Sequence, residues 1–137
     1  MGKGAECLSN WYEKEITIDC MKFRSVAQYI VYKLAALMGD EEIADEVLKC
    51  HDCTYYGAVV SAFSKYRELW EESREEIVLN ALSQKFLQLK ECKEQLIKSN
   101  EQEIIEACQL SRNCGCDSKN DGFMVNCLLK IKESILN

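Results

Sequence analysis

The sequence contains no proline, so the strongest breaker of helices is absent along all 137 residues. It also lacks a run of about 20 apolar residues, the length that a membrane-spanning helix requires. The first ten residues lack the apolar core of a signal peptide. These absences favour a protein rich in helices, with no membrane partner and an intracellular, cytoplasmic location.

Basic side chains are also fewer than acidic ones. The chain has 17 Lys and Arg against 23 Asp and Glu, a net charge of −6 and a pI near 4.9. This balance argues against a broad basic surface for nucleic acid, although a local positive pocket remains compatible with it. Apolar residues make up 47% of the chain and charged residues 29%, as in ordinary globular proteins. We predict a single domain over residues 1–137.

Cysteine, by contrast, is abundant, with nine residues beside a single histidine, His51. The odd number and the lack of a secretion signal argue against a closed disulfide framework. Cys50-x-x-Cys53 and Cys114-x-Cys116 could supply four zinc ligands, with His51 in reserve, if the two pairs met in space. Buried free thiols that pack as small hydrophobes are the alternative that we favour. We therefore predict neither a metal site nor a cofactor.

Hydrophobic periodicity predicts a mainly α fold with a small β hairpin, an α+β arrangement. The hairpin pairs Ile16–Ile18 with Met21–Phe23. The expected helices run over about Ser25–Met38, Glu41–Lys49, Tyr55–Phe63, Glu68–Leu87, Lys90–Lys98 and Phe123–Leu136. The paired isoleucines within Glu103–Cys108 favour a short strand, and the Gly, Asn, Asp and Ser residues of 111–122 favour a loop.

The stretch around Ser25 carries the clearest local signal. Ser25 and Gln28 form a capping-box pattern, in which each side chain bonds a free backbone N–H of the first helical turn. The start of a helix collects unpaired N–H groups and the positive end of the dipole, so it suits an anion such as phosphate, and Arg24 directly precedes it. The alternative is an ordinary capped core helix with a solvated arginine.

Three stretches together resemble the NADAR family, also called the YbiA-like family. Leu8-Ser9-Asn10-Trp11-Tyr12 is similar to the family's "LSNFY" opening. The segment from Phe23 to Asp40 is similar to "Y-x-SVEQYMMxQKAxLFGD". The segment from Leu69 to Phe86 is similar to "W-x-x-x-R-x-x-I-V-x-x-A-L-x-x-KF". The resemblance is specific over the first two thirds of the chain and weak after Glu106.

The resemblance implies a compact, mainly α domain that hydrolyses N-glycosidic bonds of ADP-ribosyl or phosphoribosyl compounds, including ADP-ribose on modified nucleic acid. Cleaving a ribosyl C–N bond builds positive charge on the sugar carbon, which a nearby carboxylate stabilises. The implied ligand-binding residues are Asn10, Trp11, Arg24, Ser25, Gln28, Trp70, Arg112 and Gly115.

The chain departs from the family at the reactive positions. The family's catalytic Glu falls on Ala27, which can neither carry a proton nor stabilise a cation. The family's Lys of "QKA" falls on Leu34, and the Asp and Trp of its C-terminal motif fall on Ser111 and Cys114. Two explanations remain open: a substitution introduced to inactivate the protein, or a natural member that lost the chemistry.

We therefore predict a NADAR-like N-glycosidase fold that acts on or binds ADP-ribosyl or phosphoribosyl compounds, with hydrolysis impaired by Ala27. Two alternatives stay open. One is a protein that binds or sequesters an ADP-ribose-type nucleotide without catalysis. The other is a helical protein-interaction module with no small ligand.

Overall fold

The computed structural model describes residues 3–62, 67–111 and 122–137. Within these ranges a short 3-10 helix, Lys3–Leu8, precedes a two-stranded antiparallel sheet of β1 (Ile16–Ile18) and β2 (Met21–Phe23). Seven α-helices follow in the described part of the chain: α1 (Val26–Leu37), α2 (Glu41–Leu48), α3 (Cys53–Ala62), α4 (Arg67–Gln88), α5 (Lys90–Lys98), α6 (Glu101–Ser111) and α7 (Phe123–Leu136). The predicted fold class, mainly α with a small hairpin, is confirmed.

The hairpin forms because its apolar residues alternate. Ile16 pairs with Phe23 and Ile18 pairs with Met21, so the buried side chains share one face. The turn between the strands consists of Asp19 and Cys20, which both adopt positive φ, at 53° and 67°. This is the backbone sign of the two-residue type I′ turn that matches the twist of a hairpin.

The junction between α1 and α2 is formed by two helix caps. Gly39 takes a φ of 75° just after α1, a conformation that glycine adopts without a Cβ penalty. The Asp40 side chain accepts a hydrogen bond from the backbone N–H of Ile43 at 3.1 Å and so caps α2. Glu41 and Glu42 then complement the positive end of the α2 dipole.

Helix α1 lies between two hydrophobic clusters. Its residues Val26, Tyr29 and Ile30 belong to the main core, which also contains the hairpin and apolar residues of α4, α5, α6 and α7. Its residues Val31, Leu34 and Ala35 belong to a second core with residues of α2 and α3. Both faces of α1 are therefore buried, and its first turn is held from two sides.

The strand expected over Glu103–Cys108 is wrong, because this segment lies inside α6. Asn100 and Glu103 form a capping box: the Glu103 N–H donates to Asn100 Oδ1 at 2.9 Å, and the Asn100 N–H donates to Glu103 Oε1 at 3.0 Å. Ile104 is buried at 0% exposure and Ile105 is partly exposed, as on an amphipathic helix. Ser111 ends α6 instead of opening a loop, and residues 112–121 lie outside the described ranges.

The other predicted helices are confirmed, and their ends differ from the predicted ends by at most two residues where both are described. The 3-10 helix was not predicted. Among the described residues, none of the helices is both long and apolar enough to cross a membrane. The extent of the domain over all of residues 1–137 stays a prediction.

Candidate functional site

The first turn of α1 forms the Ser25 half of the predicted capping box, whereas the Gln28 side chain accepts from Arg24, one residue before the cap. The backbone N–H of Gln28 donates to Ser25 Oγ at 3.1 Å, and the backbone N–H of Arg24 donates to Gln28 Oε1 at 2.6 Å. Ser25 and Gln28 are each about 1% exposed. Two N–H groups at the start of α1 are thus satisfied by protein atoms.

The carboxamide of Gln28 also fastens α1 to the end of α2. Its Nε2 donates to the carbonyl oxygens of Val47 and Cys50, each at 3.0 Å. The Tyr56 hydroxyl donates to the same two carbonyls. Gln28 was predicted to bind a ligand, but both of its N–H groups and its carbonyl oxygen already have protein partners.

Ala27 is completely buried. Its backbone N–H donates to the carbonyl oxygen of Asn10 at 2.8 Å. An anion at the start of α1 would therefore find the N–H groups of Ala27 and Gln28 already occupied. Phosphate binding at this helix start stays a prediction that these two donors do not support.

The chain's single histidine covers the same helix start. His51 Nε2 lies 2.8 Å from Ser25 Oγ, and His51 Nδ1 lies 3.7 Å from Glu13 Oε2. The imidazole is 9% exposed, and this burial lowers the pKa of His51 although Glu13 opposes the shift. The ring is therefore mostly neutral at neutral pH. Sequence reasoning had considered His51 only as a reserve zinc ligand and missed this contact.

Arg24 pairs with Glu13. Its guanidinium donates through both Nε and Nη2 to Glu13 Oε1, and both side chains are about half exposed, at 54% and 52%. The hydrogen bond from Arg24 is the main reason that the pKa of Glu13 is lowered. The positive charge that was expected to attract a ligand is therefore balanced by a carboxylate.

Aromatic rings pack beside His51. The ring of Trp11 stacks on Tyr56 with centroids 5.4 Å apart and planes 30° apart, and it meets His51 edge-on at 5.5 Å. Trp11 is partly exposed, while Tyr56 is fully buried. Trp70 is also partly exposed and packs against both cores. Both tryptophans contact the second core, so the structure brings them to the same cluster.

Asn10 is the least satisfied residue of this region. It is only 4% exposed, and its Nδ2 donates to the sulfur of Met124 at 3.3 Å. Its Oδ1 is buried and has no hydrogen-bond partner in the described part of the chain. A buried oxygen without a partner costs about 1–3 kcal/mol, so it marks a position where a donor from outside the described residues would bind favourably.

A buried lysine supports the turn that carries Asn10. Lys85 on α4 is 2% exposed, and its Nζ donates to the carbonyl oxygen of Ser9 at 2.8 Å. Burial lowers the pKa of Lys85 to about 8. The sequence alone does not predict this role for Lys85, because lysine is seldom buried. The one sequence feature that points to a role for Lys85 is its place in the "KF" pair of the third motif.

The remaining predicted positions do not join this arrangement. Arg112, Gly115 and Cys114 lie outside the described residues. Leu34 is buried in the second core, and neighbouring Lys33 lies 3.4 Å from Asp19 at the hairpin. An open pocket of about 470 Å3 contains none of the predicted site residues and is lined by Glu46, Lys49, Cys50, Asp52 and Tyr55.

The zinc hypothesis receives no support from the described part of the chain. No group of three or more His, Cys, Asp or Glu side chains there could hold a metal ion. Among the described residues, no disulfide bond joins the cysteines Cys7, Cys20, Cys50, Cys92, Cys108 and Cys127. Four of them are buried, as expected for small apolar side chains. Cys116, like Cys114, is outside the described residues.

Comparison with known proteins gives a match to a family model and a similar curated protein. The family model described as "NADAR domain" matches residues 2–127. Among curated proteins, the chain is similar to "Protein irg-1" of Caenorhabditis elegans, with 28% identity over 90 residues. That alignment covers 64% of this chain and 42% of the relative, so the chain spans less than half of the relative's length. No solved structure gives a significant match.

Proposed function

Because this chain belongs to the NADAR family, we propose that it binds an ADP-ribosyl or phosphoribosyl compound beside the start of α1 and hydrolyses its N-glycosidic bond at a severely reduced rate. The ligand would lie against Asn10, Trp11 and Trp70, with Ala27 facing the bond that the family cleaves. ADP-ribose on nucleic acid is part of the proposed ligand class. A cytoplasmic location is part of the same proposal.

The observation that carries this proposal is the buried Oδ1 of Asn10. It has no partner among the described residues, and the backbone of the same residue is bonded to the N–H of Ala27. A ribose hydroxyl or an N–H of a base would supply the donor that this oxygen lacks. Trp11 is partly exposed, and an aromatic residue at a partly open position suits stacking of a nucleobase.

The reduced rate follows from the side chain at position 27. Loss of a positioned acid or base usually lowers an enzymatic rate about 100- to 10,000-fold. Glu13 is a carboxylate that His51 links to Ser25, but its charge is paired with Arg24. It is therefore poorly suited to replace the missing group.

Thermal unfolding with and without excess ADP-ribose tests binding, with ribose 5-phosphate as a parallel ligand. A ligand at about 100 times its dissociation constant adds about 2.7 kcal/mol to the free energy of unfolding, which raises Tm by several degrees. We expect this rise, and we expect Asn10→Leu to reduce it. Absence of a rise with both ligands would contradict the proposal and favour the interaction module.

Ala27→Glu then separates the two ligand-binding alternatives. Because position 27 is fully buried, Ala27→Gln is the matched control: it adds similar bulk without a carboxylate. Turnover of an N-ribosyl substrate by Ala27→Glu but not by Ala27→Gln would identify an interrupted enzyme. Binding without turnover in both folded variants would identify a protein that only binds or sequesters the nucleotide.

A further inference from the structure

The buried amine of Lys85 has an unusual environment. Its Nζ lies 5.7 Å from the ring centroid of Tyr12 and 5.3 Å from that of Phe86. The titratable groups that influence it are the thiols of Cys7, Cys92 and Cys108, which come from the 3-10 helix, α5 and α6. Among the described carboxylates, none forms an ion pair with this amine.

An unpaired ammonium group is costly inside a protein, and an apolar side chain of similar shape usually fits such a site at least as well. The one strong hydrogen bond of the amine goes to the backbone of Ser9. Ser9 anchors the turn that follows: its Oγ accepts from the Trp11 N–H at 3.0 Å, and its carbonyl also accepts from the Tyr12 N–H at 3.1 Å.

We propose that Lys85 is a positioning residue that holds the turn Ser9–Tyr12, and through it Asn10 and Trp11, against the first turn of α1. The amine fixes the turn from the α4 side, and the bond between the Ala27 N–H and the Asn10 carbonyl fixes it from the α1 side. Among the hydrogen bonds of the described residues, none joins Lys85 to the side chain of Asn10 or Trp11, so the effect is transmitted by the backbone of Ser9.

The consequence for ligand binding rests on the proposed function, but the positioning role does not. A displaced turn would move the buried Asn10 Oδ1 and the exposed edge of Trp11 together. Lys85→Met removes the charge and the hydrogen bond while it keeps an unbranched side chain of similar length. Lys93→Met is the control, since Lys93 is exposed on α5.

Amide hydrogen exchange measures the stability of the turn Ser9–Tyr12 directly and needs no ligand. In Lys85→Met we expect the protection factors of the Trp11 and Tyr12 amides to fall at least about tenfold, as for loss of a hydrogen bond to a charged donor. The protection factors of the Val78 and Leu82 amides in the α4 core should stay unchanged or rise. The protection factors of Lys93→Met should equal those of the wild type. Unchanged protection at Trp11 and Tyr12 would overturn the proposal.

A pH profile of the wild type gives a second measurement that needs no variant. The amine titrates near pH 8, so its hydrogen bond to Ser9 changes from a charged to a weaker neutral one between pH 7 and 9. Because the stability of the whole fold rises over this range, protection of Trp11 and Tyr12, corrected for intrinsic exchange, should fall several-fold relative to that of Leu82. A parallel change at all three amides would overturn the positioning role.

Binding of ADP-ribose distinguishes this inference from the proposed function. If the wild type binds and Lys85→Met binds about tenfold more weakly, both stand. If both proteins bind equally, the positioning role is wrong and the proposed function stands. If the wild type does not bind, the proposed function is wrong, and the exchange experiment alone decides the role of Lys85.

Discussion

Replacement of Gln28 by leucine tests whether this residue serves the fold or a ligand. The side chain is 1% exposed, accepts a hydrogen bond from the Arg24 N–H, and donates to the carbonyls of Val47 and Cys50. Gln28→Leu keeps approximately the same volume and removes all three bonds. The substitution therefore breaks the polar link between α1 and the end of α2 without opening a large cavity.

The expected cost follows from the three lost hydrogen bonds. A typical intramolecular bond contributes about 0.5–1.5 kcal/mol. The Val47 and Cys50 carbonyls keep the Tyr56 hydroxyl as a partner, which moderates the penalty for their burial. We therefore expect Gln28→Leu to lower the free energy of unfolding by about 2–3 kcal/mol, or Tm by roughly 6–12 °C.

Urea unfolding followed by circular dichroism measures this change. Gln102→Leu on α6 is the control: Gln102 is exposed, and its long 3.5 Å contact with Glu106 should contribute little. A cost below about 0.5 kcal/mol for Gln28→Leu would refute the reasoning. Unchanged stability together with lost ADP-ribose binding would instead make Gln28 a ligand residue, as the sequence had suggested.

Two further predictions concern the hairpin turn and the buried amine. Cys20 has a φ of 67°, so we expect Cys20→Gly to raise the free energy of unfolding by about 1 kcal/mol in the same urea assay, whereas Cys20→Ser, which keeps the Cβ, should give no gain. The pKa of Lys85 is about 8 in the folded chain, whereas the ordinary pKa of a lysine is 10.5. Above pH 8 the unfolded chain therefore retains a proton that the folded chain loses, and the free energy of unfolding rises with pH. The stability difference between wild type and Lys85→Met should therefore shift by about 1 kcal/mol in favour of the wild type from pH 7 to 9, and a flat difference would contradict burial of the amine.

Local signals predicted most of the fold. Ser25 with Gln28, Gly39 and Asp40 are short-range caps whose partners lie within a few residues, so their bonds could be read from spacing. The hairpin followed from strict alternation. Helix α6 was missed because Ile104 and Ile105 resembled a strand and outweighed the capping box of Asn100 and Glu103, which was present in the sequence.

The candidate site was predicted less well, because its decisive contacts join distant parts of the chain. The bond of His51 to Ser25 spans 26 residues, and the bond of Lys85 to Ser9 spans 76. No local pattern encodes such pairs, and a lysine is ordinarily assigned to the surface. The resemblance named Asn10, Trp11 and Ser25, which do lie together, but it could not indicate that Gln28 and Arg24 are occupied by protein partners.

The contact between Asn10 and Met124 affects the order in which the protein folds during its synthesis. It joins residues 114 positions apart, so the N-terminal turn cannot reach its final neighbours until α7 has left the ribosome. Contacts of such long sequence separation are acquired late, after loop-closure entropy has been overcome. In a nascent chain truncated before Phe123, α1 and α2 would therefore pack together, but Asn10 would lack its sulfur partner. The ligand binding that we propose at Asn10 should accordingly begin, during translation, only when α7 emerges.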